Sequence, residues 1–321
     1  MRHGNKRMSR FVPAWLMPGY DLLVRAGRWG LTRPVPLHRG EGFRPVFLIG
    51  SGRSGNTLLR RILQAGRDLH IPPETFVLGR VIRLFLRNRH LPWDHLVRLV
   101  MGWFAFHQAA ETFGVPLHPL VQELLEMPRE QRSLARMLDA FYRYHGTETK
   151  QTFVRWGDKT PYNTFALDWI RRTFPDARFV HVLRDGADVV VSYVRASLQP
   201  DVESAARRWV RSVRLARSFA RRHPRQCREV RYEDLVTQPE ATVESLCRFL
   251  DIRYHPEMIT RLDHADAMGD VARYEHMKNV ARPVTADSIG RGRRTLDAAD
   301  RARLGKIMNR TLVACGYEPL R

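Results

Sequence analysis

The chain has 321 residues, of which 44% are hydrophobic, and a formal net charge of +21 at pH 7. It is long enough for one large domain or two smaller ones, and its apolar fraction is ordinary for a globular protein. We expect no membrane-spanning segment and no secretory leader, because the longest apolar run, near Leu99–Phe106, is short and the N-terminus is rich in arginine. The three cysteines lack metal-ligand spacing, which favours a reducing cytoplasm.

Arginine supplies almost all of the positive charge, since only five of the 54 basic residues are lysines. The arginines are scattered along the chain rather than confined to one stripe. An anionic ligand or an anionic membrane surface therefore explains the charge as well as a nucleic acid does. We keep an Arg-rich nucleic-acid or membrane binder as the non-enzyme alternative, and we do not expect nucleic acid to be the partner.

Residues 1–44 are predicted to form a basic N-terminal extension, followed by a single domain over residues 45–321. The extension is rich in Arg, Pro and Gly, and Pro13, Pro18 and Gly19 interrupt any long amphipathic helix. We expect a loosely packed arm on a cytoplasmic protein. The alternative role of the arm is a contact with the inner surface of the membrane.

The first predicted strand, Val46–Ile49, runs into a glycine-rich loop and then a helix that extends to about Arg67. The loop, Gly50–Thr57, has the glycine spacing of a nucleotide triphosphatase loop, but Asn56 stands where such a loop needs lysine. A cation, Arg53, comes three residues earlier. Backbone N–H groups and the helix N-terminus still suit a phosphate. The loop is poorly equipped for the outer phosphates of ATP with magnesium.

The rest of the chain alternates between helical and strand patterns. A largely helical region covers about residues 76–145, with breaks near Pro92, Pro116–Pro119 and Pro128. Strands separated by helices imply an α/β fold, a P-loop-like parallel sheet flanked by helices, with ligands at the carboxyl ends of the strands. Farther along we predict helices at about 163–173, 187–197, 201–222 and 239–250, and strands at 178–183 and 228–232.

A second candidate phosphate-binding segment begins where the strand at 178–183 ends. Arg184 stands at that end, and Asp188, Ser192 and Arg195 fall on one face of the following helix. An arginine at the sheet edge and a serine hydroxyl grip a phosphate with charge-assisted hydrogen bonds. Because a phosphate loop lies upstream, we favour this interpretation over a solvated helix face.

The same strand also permits a Walker-B interpretation, in which Asp185 binds magnesium in an ATP-dependent small-molecule kinase. Arg184 stands directly before that acid, and the loop lacks its lysine. These two departures make the kinase the weaker enzyme hypothesis.

Together these segments resemble the sulfotransferase superfamily, in particular its bacterial and tyrosylprotein-type members. The loop matches the family's 5′-phosphosulfate motif, and Leu183–Ser192 matches its 3′-phosphate motif. The similarity runs from about Arg44 to Tyr317 and includes Trp156–Pro161 and Val230–Leu235. It implies an enzyme that moves the sulfuryl group of 3′-phosphoadenosine 5′-phosphosulfate (PAPS) in line to an acceptor hydroxyl and releases adenosine 3′,5′-bisphosphate, with no metal in the implied roles. The acceptor, a glycan, lipid, small molecule or peptide, is expected on the side of the helical insertion.

The resemblance assigns roles to individual residues. Arg53 takes the basic position near the oxygen that bridges sulfate and phosphate, and Lys159 supplies a second positive charge. Tyr232 is expected near the adenine, and the tail 289–294 is expected to close over the nucleotide. The nucleotide-binding residues that the resemblance implies are Arg53, Ser54, Gly55, Asn56, Thr57, Leu58, Arg184, Ser192, Tyr232, Arg291 and Arg293.

This chain departs from the family pattern at four of its motif positions. Relatives commonly carry Pro where Gly52 stands and Thr where Asn56 stands, and both changes still permit phosphate binding. Many have a second Arg at Ala187. The tail often has an aromatic residue at Gly292, so this chain lacks that contact to adenine.

Glu74 is predicted to be the base that takes the proton of the acceptor hydroxyl, because it follows the first helix where relatives place a catalytic Glu. The structural alternative is a carboxylate that stabilises a helix N-terminus. His70 is the second candidate, since a histidine near its neutral pKa suits proton abstraction, although we expect a surface loop histidine there. Asp158 is expected to support Lys159, or to form a turn-and-cap ion pair with it.

Overall fold

The computed structural model describes residues 34–261, 268, 270–271 and 281–321. Its centre is a parallel sheet with the strand order β2-β3-β1-β4-β5. The predicted P-loop-like parallel sheet is thus confirmed. The strands are β1 (Val46–Gly50), β2 (Leu69–His70), β3 (Arg155–Lys159), β4 (Arg178–Leu183) and β5 (Cys227–Arg231).

Helices connect the strands and cover both faces of the sheet. No helix within the described ranges is long and apolar enough to cross a membrane. The helices are α1 (Asn56–Ala65), α2 (Leu78–Asn88), α3 (Trp93–Ala105), α4 (His118–Glu126), α5 (Leu134–Glu148), α6 (Leu167–Thr173), α7 (Gly186–Arg195), α8 (Val202–Arg222), α9 (Tyr232–Thr237), α10 (Pro239–Leu250), α11 (Glu257–Thr260), α12 (Arg291–Thr295) and α13 (Ala298–Ala314).

The central strand β1 is buried on both faces because alternate side chains point to opposite sides of a strand. Phe47 and Ile49 join a core with the helices of the insertion, α2 to α5, and Phe47 stacks on Phe179 of β4 with ring centroids 5.4 Å apart. Val46 and Leu48 join a second core with α1 and α10. A run of apolar residues without alternation is what a strand buried on both faces needs.

The carboxyl ends of the parallel strands meet at one edge of the sheet. The chain leaves β1 into the glycine-rich loop, β4 into Arg184 and β5 into Tyr232. Glu74 follows β2, and Lys159 is the last residue of β3. The predicted ligand edge therefore collects segments that are far apart in the sequence.

Two strands are absent from the sequence prediction. β3 contains Gly157, Asp158 and Lys159, which look like a turn, yet Asp158 and Lys159 are buried. Strand β2 ends at His70, which is 3% exposed, so the expected surface loop histidine is wrong. The His70 ring bonds the buried His145 through Nε2 and Nδ1, 2.9 Å apart. Each of these polar groups is buried because a partner from elsewhere in the chain meets it.

The N-terminal part of the predicted arm, residues 1–33, lies outside the described residues. The last part of the arm, residues 34–44, packs against the helical insertion. Val35 donates its N–H to the carbonyl of Arg89, and the N–H groups of Leu134 and Ala135 donate to Pro36 and Leu37. The expected loose packing therefore does not hold for this stretch.

Candidate functional site

The glycine-rich loop wraps around the N-terminus of α1. Three of its residues have positive φ, Gly50 at 125°, Arg53 at 65° and Gly55 at 95°. The Asn56 side chain donates from Nδ2 to the carbonyl of Ser51, 2.8 Å away. Asn56 therefore closes the loop on itself, in the position where a triphosphatase loop extends a lysine toward its ligand.

Two glycines of the loop lie against tyrosine rings. A Cβ on Gly55 would lie 2.4 Å from Cδ2 of Tyr232, and a Cβ on Gly52 would lie 2.6 Å from the hydroxyl of Tyr193. A side chain at either position would push the loop off the tyrosine. A side chain at Gly52 would therefore require the Tyr193 hydroxyl to move.

The second candidate phosphate segment meets the loop directly. Arg53 donates from Nε to Oγ of Ser192 on α7, 3.1 Å away, and Arg184 donates from Nη1 to the carbonyl of Arg53, 3.4 Å away. The guanidinium of Arg184 lies over the ring of Tyr232, 4.2 Å from its centroid. The sequence-predicted residues Arg53, Arg184, Ser192 and Tyr232 thus form one cluster.

Burial and charge both act on the cations of this cluster. Burial lowers the pKa of the Arg53 guanidinium, and the nearby positive charge of Arg184 lowers this pKa further. In these two segments three buried polar atoms lack a hydrogen-bond partner among the described residues, Nε of Arg184, Oγ of Ser54 and Oδ1 of Asn56. The first two can donate a hydrogen bond. Buried donors without partners are uncommon, and here they suit the oxygens of an anionic ligand.

Glu74 forms an ion pair with Lys159, whose Nζ donates to Oε1 of the carboxylate. The Lys159 side chain is fully buried, whereas Glu74 keeps 14% of its side chain exposed. Burial raises the pKa of the Glu74 carboxyl, and the positive charge of Lys159 opposes that rise. Glu74 is therefore a carboxylate held at the cavity wall by a cation behind it.

Asp158 supports this pair without bonding Lys159. Its carboxylate accepts hydrogen bonds from the hydroxyls of Tyr142 at 2.6 Å and Thr75 at 2.8 Å, and from Nδ2 of Asn163 at 2.7 Å. Thr75 is the neighbour of Glu74, so Asp158 helps to fix the backbone that carries the carboxylate. The predicted turn-and-cap ion pair between Asp158 and Lys159 is not what the structure has.

These elements surround a cavity of about 1260 Å³, large for a small-molecule site. One side of the cavity, the phosphate-loop wall, is lined by Gly52, Arg53, residues 55–58, Arg184, Asp188, Ser192, Tyr232, Asp287, Ser288, Arg291 and Gly292. The other side, the aromatic wall, consists of Phe76, Thr112, Tyr162, Leu198 and Arg208. Glu74 lines the same cavity.

The aromatic wall exposes large apolar side chains, with Phe76 41%, Tyr162 54% and Leu198 43% accessible. Phe76 has φ of 56°, a left-handed conformation that is costly for a bulky residue. The N–H of Thr75 donates to Oγ1 of Thr160, 3.0 Å away. That bond holds the segments of Phe76 and Tyr162 side by side.

Arg208 is a cation of the aromatic wall. Its Nε donates to the hydroxyl of Tyr193, 3.3 Å away, and its guanidinium lies 5.5 Å from the ring centroid of Tyr162 and 5.6 Å from that of Phe165. Arg208 and Tyr193 are not among the site residues that the sequence predicts. Tyr193 directly follows Ser192 in the predicted phosphate-binding segment, and that position could have indicated its place at the site. No local sequence feature distinguishes Arg208.

Most of the predicted site residues lie at the cavity, and three do not line it. Gly55, Asn56, Thr57, Leu58 and Arg291 are among the lining residues. Ser54 is 1% exposed beneath the loop, and Lys159 lies behind Glu74. Arg293 turns away, since its Nε donates to Asp185 at 2.7 Å and its guanidinium also bonds the carbonyls of Glu318 and Pro319.

Asp185, the acid of the Walker-B alternative, is committed to structural contacts. Besides pairing with Arg293, its carboxylate accepts the N–H of Ala187, 2.9 Å away, and so caps α7. Asp185 is absent from the residues that line the cavity. Its position therefore lends no support to the kinase hypothesis.

Comparison with known proteins connects this site to one family. Residues 45–256 match the model of the sulfotransferase family. Protein-tyrosine sulfotransferase 1 of Danio rerio is 23% identical over 91% of this chain and 77% of its own length. The omega-hydroxy-beta-dihydromenaquinone-9 sulfotransferase Stf3 of Mycobacterium bovis is 26% identical over 69% of this chain and 68% of its own.

Solved structures show the same fold. The sulfotransferase domain of the Synechococcus PCC 7002 olefin synthase superposes with a TM-score of 0.55 and 21% identity, over 83% of this chain and 96% of that domain. The sulfotransferase domain from the curacin biosynthetic pathway has a TM-score of 0.50 and 19% identity, over 86% and 99%.

Proposed function

This chain belongs to the sulfotransferase family, and from that premise we propose that its donor is PAPS. The enzyme transfers the sulfuryl group of this donor in line to an acceptor hydroxyl. The acceptor oxygen forms a bond to sulfur as the bond from sulfur to the bridging oxygen breaks. The electron pair of that bond stays on the 5′-phosphate of the product, adenosine 3′,5′-bisphosphate.

One observation carries the donor assignment: the hydrogen bond of 3.1 Å from Nε of Arg53 to Oγ of Ser192. It joins two segments that each suit a phosphate and that are 139 residues apart in the chain. A nucleotide with phosphate groups at both ends of its ribose matches two such sites at one cavity. The unpartnered Nε of Arg184 and Oγ of Ser54 supply further polar atoms for these groups.

Glu74 is the proposed base. Its carboxylate lines the cavity, and burial raises its pKa toward the range in which a carboxylate accepts a proton effectively. Arg53, on the loop in the same cavity, is the proposed cation for the charge that develops on the leaving phosphate. None of these roles uses a metal.

Lys159 takes a different proposed role from the one that the family resemblance implies. Because it is fully buried behind Glu74, it acts through the carboxylate rather than on the transferred group. It keeps Glu74 ionised and oriented, since a nearby positive charge favours the charged form of a carboxyl group. We therefore regard Lys159 as a positioning residue.

The acceptor carries a hydroxyl, the group shared by tyrosine and by the omega-hydroxy compound in the names of the two relatives above. A glycan, a lipid, a small molecule and a peptide remain the candidate classes. The cytoplasmic location and a membrane contact by the basic arm stay predictions.

A thermal-shift measurement tests the donor. Adenosine 3′,5′-bisphosphate without magnesium should raise the melting temperature of the wild-type protein, and Arg184→Ala should remove that shift. A shift that appears only with ATP and magnesium would support the kinase instead. Tight DNA binding that Arg53→Ala and Arg184→Ala leave unchanged would support the nucleic-acid binder.

A further inference from the structure

Within residues 288–292 of the tail segment, two backbone N–H groups are bound by one buried carboxylate of α7. Asp188, which is 3% exposed, accepts the N–H of Gly290 on Oδ2 at 2.9 Å and the N–H of Gly292 on Oδ1 at 2.6 Å. A carboxylate that accepts two backbone N–H groups makes strong, directional bonds. Both oxygens of Asp188 are therefore used to hold the tail.

The glycines of the tail suit this fastening. Gly290 has φ of 72°, a region that glycine enters at little cost. A Cβ on Gly292 would lie 2.2 Å from the carbonyl carbon and oxygen of Ala187. Only glycine lets the tail lie flat against the first turn of α7.

The same carboxylate reaches Arg184, whose Nη2 lies 3.5 Å from Oδ2 of Asp188. Nη2 of Arg184 also donates to the carbonyl of Ser288, 2.8 Å away, and the Ser288 hydroxyl lies 2.6 Å from that of Tyr232. Arg184 thus contacts Asp188, the tail and, through the carbonyl of Arg53, the glycine-rich loop. Its Nε has no partner among the described residues.

We propose that Asp188 is a positioning residue that couples the tail to Arg184, so that phosphate binding at Arg184 and ordering of residues 288–292 are one event. The inference rests on the proposed function, because the phosphate in question is the one that distinguishes adenosine 3′,5′-bisphosphate from AMP. A phosphate bound to Arg184 holds the guanidinium more firmly in its contacts with Asp188 and Ser288. The fixed tail in turn keeps Arg184 over Tyr232, with its free Nε in place. Asp188 therefore determines how strongly the site prefers the bisphosphate.

The experiment compares the affinities of adenosine 3′,5′-bisphosphate and AMP by calorimetry in wild-type protein, Asp188→Asn and Gly292→Ala. The asparagine keeps the shape but loses the charge and one of the two acceptor oxygens. The alanine breaks the fastening from the tail side and leaves the carboxylate and Arg184 intact. Each variant should weaken bisphosphate binding by about tenfold or more, as expected for loss of a charge-assisted hydrogen bond, and AMP binding by less than about threefold.

Hydrogen exchange at the amides of Gly290 and Gly292 gives the second readout. In wild-type protein the bisphosphate should slow this exchange and AMP should not. In Asp188→Asn the exchange should be fast with either nucleotide. Asp139→Asn is the matched control, because it removes the charge of a buried carboxylate that bonds Trp156 and Arg143 and neither lines the cavity nor contacts the tail. It should lower the melting temperature and leave the bisphosphate-to-AMP affinity ratio unchanged.

Two outcomes overturn the inference alone. In the first, wild-type protein prefers the bisphosphate, but each variant either weakens the binding of both nucleotides by the same factor or weakens the binding of neither nucleotide. In the second, the bisphosphate does not change the rate of hydrogen exchange at the amides of Gly290 and Gly292. A wild-type protein that shows no preference for the bisphosphate over AMP would overturn the proposed donor, and the coupling with it.

Discussion

On the phosphate-loop wall of the cavity, charged side chains make hydrogen bonds to distant segments, whereas the side chains of the aromatic wall make mainly ring contacts. Arg53, Arg184 and Asp188 on the first wall each bond a segment other than their own. On the second wall, Phe76 stacks on His107 with ring centroids 5.5 Å apart, and Arg208 lies over Tyr162. A hydrogen-bonded network specifies one arrangement of polar ligand atoms, while exposed rings accept many apolar shapes.

This contrast indicates how the two substrates would be recognised under the proposed function. The wall that we propose to bind phosphate is polar and charged. The wall left for the acceptor exposes Phe76, Tyr162 and Leu198 to the cavity. Glu74 lies in the cavity that both walls enclose, so a substitution there should affect catalysis without affecting the binding function of either wall.

Glu74→Gln should give the largest effect. The amide cannot accept the acceptor's proton, so we expect kcat to fall by a factor on the order of 10²–10⁴, the usual contribution of a general base. The affinity for adenosine 3′,5′-bisphosphate should change by less than about threefold, because the substitution keeps the shape of the side chain. Turnover measured with labelled PAPS, beside calorimetry with the bisphosphate, tests both. Near-normal turnover with intact nucleotide binding would contradict the assignment of the base.

Arg184→Ala should come next. Loss of its charge-assisted contacts should weaken binding of adenosine 3′,5′-bisphosphate by about 10- to 100-fold. Arg208→Ala is the matched control, since it removes the same kind of cation from the aromatic wall of the same cavity. It should leave the bisphosphate affinity within about threefold of wild type. Equal losses in the two variants would mean that the cavity attracts the nucleotide by overall charge and that the two walls are not distinct.

The phosphate-loop wall could largely be predicted from the sequence because its geometry is local. Strand β4 has the predicted bounds. The glycine-rich loop and the Arg184–Ser192 segment each predict a strand, a turn and a helix in succession, and the structure has both. Parallel strands then bring these turns to one edge of the sheet. Arg53, Arg184, Ser192 and Tyr232 do lie together for that reason.

What the sequence could not reveal depends on partners that are distant in the chain. Lys159 and Asp158 look like turn residues, and they are stable when buried in a strand because partners such as Glu74 and Tyr142 bond them. His70 is buried because His145 meets it. Arg208 reaches the cavity from the first half of α8, where no local pattern distinguishes it from the other arginines of that helix.

Lys159→Met should shift the pH dependence of kcat while changing the value of kcat at high pH much less. Glu74 works as a base only when ionised, so activity rises as pH increases through its pKa. The positive charge of Lys159 opposes the rise that burial imposes on this pKa. Its removal should therefore move the acid limb of the kcat profile to higher pH, with activity lost first at low pH. Lys159→Arg keeps the charge and should move the limb less. Identical limbs in wild type and Lys159→Met would show that Lys159 does not act through Glu74.

Changes at Phe76 should be the smallest, and they test whether the aromatic wall is independent of the nucleotide. Phe76→Ala and Phe76→Gly both remove a ring that is 41% exposed, but only glycine relieves the left-handed backbone at φ of 56°. The glycine variant should therefore be the more stable of the two by about 1 kcal/mol in denaturant unfolding. Both should bind adenosine 3′,5′-bisphosphate within about threefold of wild type, because the ring lies on the aromatic wall. A glycine variant no more stable than the alanine variant would contradict the strained conformation. A shared loss of nucleotide affinity would instead show that the two walls act as one.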